Sequence, residues 1–144
     1  MKLYIINGPN LNMLGIREPS KYGNVTYSEL CAVVRAHCEA RGIETVFYQS
    51  NHEGDLVDKI QEAYFEGVDG IVINPGAYTH TSIAILDALL SVSIPYVEVH
   101  ITDPDAREDF RRISYIRSNA TATVKGKGID GYTEACDILA DKDL

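Results

Sequence analysis

Leu3-Tyr-Ile-Ile-Asn-Gly-Pro-Asn-Leu-Asn-Met-Leu-Gly-Ile-Arg-Glu-Pro-Ser-Lys-Tyr22 changes character after its first four residues. Leu3 to Ile6 are apolar and β-prone, which fits a strand buried on both faces. Asn7 to Tyr22 has neither a helical nor a strand period, so a long loop leaves the end of a core strand. Loops beyond about twelve residues are uncommon inside compact domains and tend to be lids or binding loops. This one offers Asn10, Asn12, Arg17 and Tyr22 among Gly8, Pro9, Gly15, Pro19 and Gly23, which bend the backbone. It also carries Leu11, Met13, Leu14 and Ile16, which a freely solvated loop has no reason to contain. The loop is therefore expected to pack down over the body of the protein.

The rest of the chain alternates. Thr26-Tyr-Ser-Glu29 has the form of a capping box, and Leu30, Val33, Val34 and His37 follow at helical spacing until Gly42. Ile43 to Gln49 reads as a second strand. After a turn over Ser50 to Gly54, Leu56, Ile60, Ala63 and Tyr64 line a helix that stops at Gly67. Gly70-Ile-Val-Ile-Asn74 is a short continuous apolar run, the signature of a buried parallel strand. Ser82, Ile83, Leu86, Leu89 and Leu90 mark the next helix, and Pro95 opens a strand over Tyr96 to Ile101. A short polar helix is expected over Asp105 to Arg111, a weak fifth strand over Ala120 to Val124, and a last helix through Tyr132, Ala135, Cys136 and Leu139. Asn51 and Thr81 are expected to cap helices.

Five strands alternating with helices imply right-handed crossovers and a parallel sheet covered on both faces. The expected fold is α/β, flavodoxin-like, with strand order 2-1-3-4-5, as a single domain over 1–144. Such sheets bind ligands beyond the carboxyl ends of the strands where the order reverses, here between strands one and three. The loops after Asn7 and Asn74 should face each other, with the end of strand four beside them.

Those ends supply Asn10, Asn12, Arg17 and Tyr22; Asn74, Tyr78 and His80; and Glu98, His100 and Thr102. Glu98 and His100 are two apart inside an apolar strand and so point to one face, where each needs a polar partner. His37 reads as a partly buried helix residue, and His52 as a turn residue. Other templates fail. Gly126-Lys-Gly-Ile-Asp-Gly131 matches G-x-G-x-x-G, yet no second strand follows it, so turn glycines are the better reading. Neither a phosphate-loop nor a serine-hydrolase motif occurs.

The chain's 144 residues, 45% hydrophobic and 24% charged, suit one globular domain. A formal net charge of -8 argues against nucleic acid or an anionic membrane as partner. An anionic ligand would need local cations. The first residues are too short and polar for a signal peptide, and no run has membrane-spanning length, so a cytoplasmic address is expected. Cys31 and Cys38, on one helix and about 10 Å apart, are beyond disulfide reach, and Cys136 stands alone; all three read as small core residues.

Asn7-Gly-Pro-Asn-Leu-Asn12, Gly15-Ile-Arg-Glu-Pro19, Tyr22-Gly23, Gln49-Ser-Asn51 with Glu53-Gly54, Asn74-Pro-Gly-Ala-Tyr-Thr-His-Thr-Ser82, Glu98-Val-His-Ile101 and Arg107-Glu108 with Phe110-Arg111 together resemble type II 3-dehydroquinate dehydratase over residues 3 to 132. The resemblance implies reversible dehydration of 3-dehydroquinate to 3-dehydroshikimate through an enolate, in the shikimate route or in quinate use, without metal or organic cofactor. It implies a homo-oligomer, a dodecamer built from trimers. By resemblance Tyr22 is the base, Arg17 activates it, Asn12 helps stabilise the enolate through a water, His100 protonates the departing hydroxyl and Glu98 tunes His100. Asn74, His80, Arg111, Ile101 and Thr102 would hold the small anionic substrate, and Asp87 would reach the site of a neighbouring subunit. The family commonly has Ser-Asn after His-Ile; Thr102-Asp103 here keeps a hydroxyl but adds negative charge close to the expected anion. Rival readings are a flavodoxin-like module binding FMN or another phosphate-bearing ligand, and a Schiff-base lyase using Lys21.

Overall fold

The computed structural model describes residues 1–16 and 24–142. Its sheet has five parallel strands, β1 (Lys2–Asn7), β2 (Glu44–Gln49), β3 (Gly70–Asn74), β4 (Tyr96–His100) and β5 (Ala122–Lys125), in the order β2-β1-β3-β4-β5. The topology expected from the alternation is the one observed. Alternate residues of each strand feed opposite cores. Leu3, Ile5, Val72, Val97 and Val99 pack under α1 (Tyr27–Ala40) and α4 (Asp130–Asp141). Tyr4, Ile6, Ile71, Ile73 and Tyr96 pack under α2 (Glu53–Phe65) and α3 (Ile83–Val92). Glu98 and His100 therefore share the face covered by α2 and α3.

The helices start where the caps allow. Thr26 caps α1 by accepting from Glu29 N at 3.1 Å, and Ser82 caps α3 by accepting from Ile85 N at 3.0 Å. Asn51 and Thr81 do not cap the starts of these helices. His52 occupies the α2 cap position, and Asn51 Oδ1 instead accepts from Asn10 N and Gln49 Nε2.

The buried stripes are also shifted. In α1 it runs through Leu30, Cys31, Val34 and Cys38, leaving Val33 exposed, because the cysteines complete the apolar face. In α2 Tyr64 is exposed beside Phe65, and in α3 Ile83 and Leu90 are exposed while Ile85, Ala88, Leu89 and Val92 are buried. The α4 stripe is as expected, but Cys136 is not alone: it meets Cys38 across the helix pair, and that contact with burial pushes its thiol up. Residues 105–111 form no continuous helix; single 3-10 turns at Pro104–Ala106 and Asp109–Arg111 are separated by extended Arg107 (φ -103°, ψ -148°). So polar a stretch has no apolar face to bury.

At the carboxyl edge, Gln49, Asn7 and Asn74 stand in one row across β2, β1 and β3. Asn7 and Asn74 are tied through the fully buried Tyr132, whose hydroxyl donates to Asn7 Oδ1 at 2.6 Å and accepts from Asn74 Nδ2 at 2.9 Å. The loops beyond them come into contact, as the reversal of strand order requires. Gly8 N donates to Asn74 O at 2.7 Å, and a Cβ at Gly8 would lie 2.4 Å from Pro75 O. Within the first loop Leu11 and Leu14 are buried as expected, whereas Met13 and Ile16 are exposed. Gly8→Ala should cost about 1–3 kcal/mol, the scale of overpacking, read as a lowered urea midpoint; an unchanged midpoint would mean that the two loops separate freely.

Candidate active site

A cavity of ≈ 200 Å³ opens at these strand ends. Asn10 and Leu14 of the first loop, Asn74 and His80 after β3, and His100, Ile101 and Thr102 at the end of β4 line it, with Arg107 and Arg111 from the turns beyond. Among the described lining residues there is no aspartate or glutamate, and two are arginines. A chain of net charge -8 thus presents a locally cationic hollow.

Each polar group is fixed by its local structure. Glu98 has no solvent exposure and His100 only 7%. His100 Nε2 lies 2.6 Å from Glu98 Oε2. The carboxylate also receives Thr79 Oγ1 at 2.7 Å and Ser114 Oγ at 2.9 Å. Burial pushes the Glu98 carboxyl up, but the bonds from His100, Thr79 and Ser114 and the charge of His100 outweigh it, so its pKa falls below the ordinary carboxylate value. An ionised carboxylate only accepts, so His100 Nε2 carries the hydrogen and Nδ1 is the nitrogen left for chemistry.

His80 Nδ1 donates to Ile113 O at 2.7 Å, which leaves Nε2 as an acceptor on a neutral ring. Burial lowers its pKa, and nearby His100 and Arg111 lower it further against the pull of the Ile113 carbonyl. Arg111 Nε donates to Glu108 Oε2 at 2.7 Å, and its guanidinium lies 5.1 Å from the Phe110 ring centre. Asn74 Oδ1 accepts from Gly76 N at 3.1 Å. With Tyr132 on its Nδ2, the amide is held in one orientation and keeps one hydrogen and one lone pair for a ligand.

The structure thus brings together Asn74, His80, His100, Ile101, Thr102 and Arg111, with Glu98 behind His100. Asn12 does not line the cavity; it is exposed and accepts from Gln49 Nε2 at 3.4 Å. Asp87 is exposed on α3, also outside the cavity. Arg17, Tyr22 and Lys21 lie outside the described residues. Asp103 is not a lining residue: its Oδ1 accepts from Asp105 N at 3.0 Å and lies 3.7 Å from Lys125 Nζ. The expected charge against an anion is thus engaged elsewhere. The turn glycines Gly126 and Gly128 donate backbone N–H groups to the Thr102 and Ile101 carbonyls, at 3.1 and 3.0 Å, and secure the end of β4.

Three groups escaped the sequence reading. Thr79 and Ser114 hold Glu98, and Tyr132 orients Asn74. Tyr132 was legible only as a core residue, although a tyrosine in an Ala/Cys/Leu stripe requires a partner for its hydroxyl. Ser114 sits in an aperiodic segment and gives no signal.

Fold and site define a flavodoxin-like α/β protein whose strand ends hold a buried imidazole–carboxylate couple in a cationic pocket. The family model of dehydroquinase class II matches residues 1–140, and the chain belongs to that family. The chain is 50% identical over 141 residues to a catabolic 3-dehydroquinase of Debaryomyces hansenii, covering 98% of each. It is 52% identical over 131 residues to a 3-dehydroquinate dehydratase of Caldicellulosiruptor bescii, covering 91% of this chain and 90% of the other. The type II dehydroquinase structure from Butyrivibrio crossotus superposes with a TM-score of 0.96 at 54% identity, over 98% of each chain.

The depressed Glu98 carboxyl has a consequence for stability. A group whose folded pKa lies below its unfolded value contributes fully above about 4.3, the unfolded value for glutamate, and loses that contribution as pH falls through the folded value. Between about pH 6 and about pH 3 the wild type should therefore lose more unfolding free energy than Glu98→Gln. Parallel urea-midpoint curves for the two proteins would contradict this.

Proposed function

We infer that the protein is a hydro-lyase that reversibly removes water from 3-dehydroquinate to give 3-dehydroshikimate through an enolate, with no Schiff base. The observation that carries this reading is the buried Glu98–His100 couple bordering a cationic pocket, in a chain matched to dehydroquinase class II over nearly its whole length. Such a pocket suits a small carboxylate-bearing substrate. The same reaction serves aromatic amino acid biosynthesis through the shikimate route or the catabolism of quinate.

In this reading Tyr22 removes the proton beside the ketone. Tyrosine titrates near 10, so a phenolate near neutrality needs a shift of roughly two to three units, about 3 to 4 kcal/mol. A cation about 4 Å away at an effective dielectric of 20 supplies on the order of 4 kcal/mol, so one guanidinium, that of Arg17, suffices. Asn12 steadies the enolate through a water. His100, oriented by Glu98, donates a proton from Nδ1 to the departing hydroxyl. Arg111, His80, Asn74, Thr102 and the Ile101 backbone hold the carboxylate and ring hydroxyls.

The chain acts as one domain over residues 1–144 in the cytoplasm; among the described residues no helix is long and apolar enough to cross a membrane. It assembles as a dodecamer built from four trimers, in which the exposed Asp87 reaches a neighbouring subunit's site.

Purified protein given 3-dehydroquinate should produce an enone absorbing in the ultraviolet. Absence of that signal would overturn the reading. Tyr22→Phe should fold normally yet lose turnover by about a hundredfold or more. Arg17→Lys should lose about tenfold, because a point charge does not reproduce the planar fork. Borohydride added with substrate should trap no lysine adduct; trapping at Lys21 would favour the Schiff-base route.

A further inference from the structure

Glu98 is held by more than His100. Residues 113–115 run against the turn Gly76–His80. Ile113 O accepts from His80 Nδ1 at 2.7 Å, Ser114 Oγ lies 3.0 Å from Thr79 Oγ1, and Tyr115 N donates to Thr79 O at 3.0 Å. From this strap Ser114 Oγ reaches both carboxylate oxygens of Glu98, at 2.9 Å from Oε1 and 3.0 Å from Oε2.

A serine hydroxyl has one hydrogen, and its neighbours fix where it goes. Arg117 N donates to Ser114 Oγ at 3.2 Å, and because an ionised carboxylate can only accept, the 2.9 Å contact to Glu98 Oε1 uses the serine hydrogen. Thr79 and His100 both bond Oε2, so among the described residues Ser114 is the donor to Oε1. A carboxylate without solvent must have both oxygens satisfied if it is to stay ionised.

We propose that Ser114 is a positioning residue of the elimination: its hydroxyl, donated to Oε1, holds the Glu98 carboxylate charged and turned so that Oε2 meets His100 Nε2. Ser114 itself does not line the cavity. It acts through Glu98 on His100, and the strap ties the same turn that carries His80. Among the described residues, the groups bearing electrostatically on this couple are Tyr96 on the same strand, His80 on the facing turn, and Arg111, which bears on His80. The competing explanation is that Ser114 merely receives Arg117 N to start the turn Arg117–Asn119.

The kinetic part of the test rests on the dehydratase reading; the spectroscopic part does not. Ser114→Ala, Ser114→Thr and wild type are compared by steady-state turnover of 3-dehydroquinate across pH and by NMR titration of the His100 imidazole. Losing one bond to a buried charge should lower kcat of Ser114→Ala about ten- to hundredfold. KM should stay within about twofold, since uniform binding is untouched. The acid limb of kcat should move up by about one pH unit, because Glu98 is then more easily protonated, and the His100 titration should move with it. Threonine, which keeps the hydroxyl, should restore most of both. Wild-type kcat and an unmoved His100 titration in Ser114→Ala, with only a lower Tm, would overturn the proposal in favour of the turn-starting role. If wild type fails to turn over 3-dehydroquinate, the dehydratase reading falls, while the shift in His100 titration still decides the role of Ser114. Should Ser114→Ala not fold, the wild-type spectrum decides: a slowly exchanging, downfield Nε2 proton on His100 supports the clamped couple, and its absence overturns it.

Discussion

A glutamate with no solvent exposure lies at the centre of this structure, and its charge constrains what surrounds it. Taking a carboxylate out of water costs several kcal/mol even after relaxation, unless hydrogen bonds and an opposite charge replace the lost solvent. Glu98 meets that demand with donors from three separate parts of the chain: His100 on its own strand, Thr79 on the turn after β3, and Ser114 on the segment before β5. Because all three must converge, the turn and the segment are fixed relative to β4. The imidazole tautomer follows from the same requirement.

The parallel sheet makes the convergence possible. Its register sets Gln49, Asn7 and Asn74 level across three strands, so the loops leaving β1 and β3 start side by side. Tyr132 then reaches from α4 to the carboxyl ends of β1 and β3 and locks the two asparagines together. The loops approach closely enough that Gly8 has no room for a side chain against Pro75. A pocket wall is thereby built from backbone and amide groups on rigid elements.

Global and local charge point in opposite directions. The chain carries a net charge of -8, yet Arg107 and Arg111 line the pocket, Glu98 is buried behind His100, and Asp103 is turned to Asp105 N and Lys125. Over the few ångströms that matter to a bound anion, the nearest charges dominate, because more distant surface charges are screened by solvent and salt. An acidic surface at that distance therefore does little to weaken the attraction of nearby guanidiniums for a small anion.

Strand order was legible along the chain, because short apolar runs alternating with helical periods leave few parallel topologies, and so was the edge at which the chemistry collects. The sequence also singled out Glu98 and His100, since spacing of two in a buried strand forces them to one face. What it misjudged were matters of context: Val33, Tyr64, Ile83 and Leu90 have the period of a buried face but lie at its margin, and Asn51 has the chemistry of a cap but reaches the first loop instead. Folding alone settled that Ser114 and Thr79 would hold Glu98, that Cys38 would meet Cys136, and that Asp103 would face Lys125 rather than line the pocket. These pairings join residues distant along the chain, so no local period records them; they arise when packing brings the residues together and leaves each buried polar atom in need of a partner.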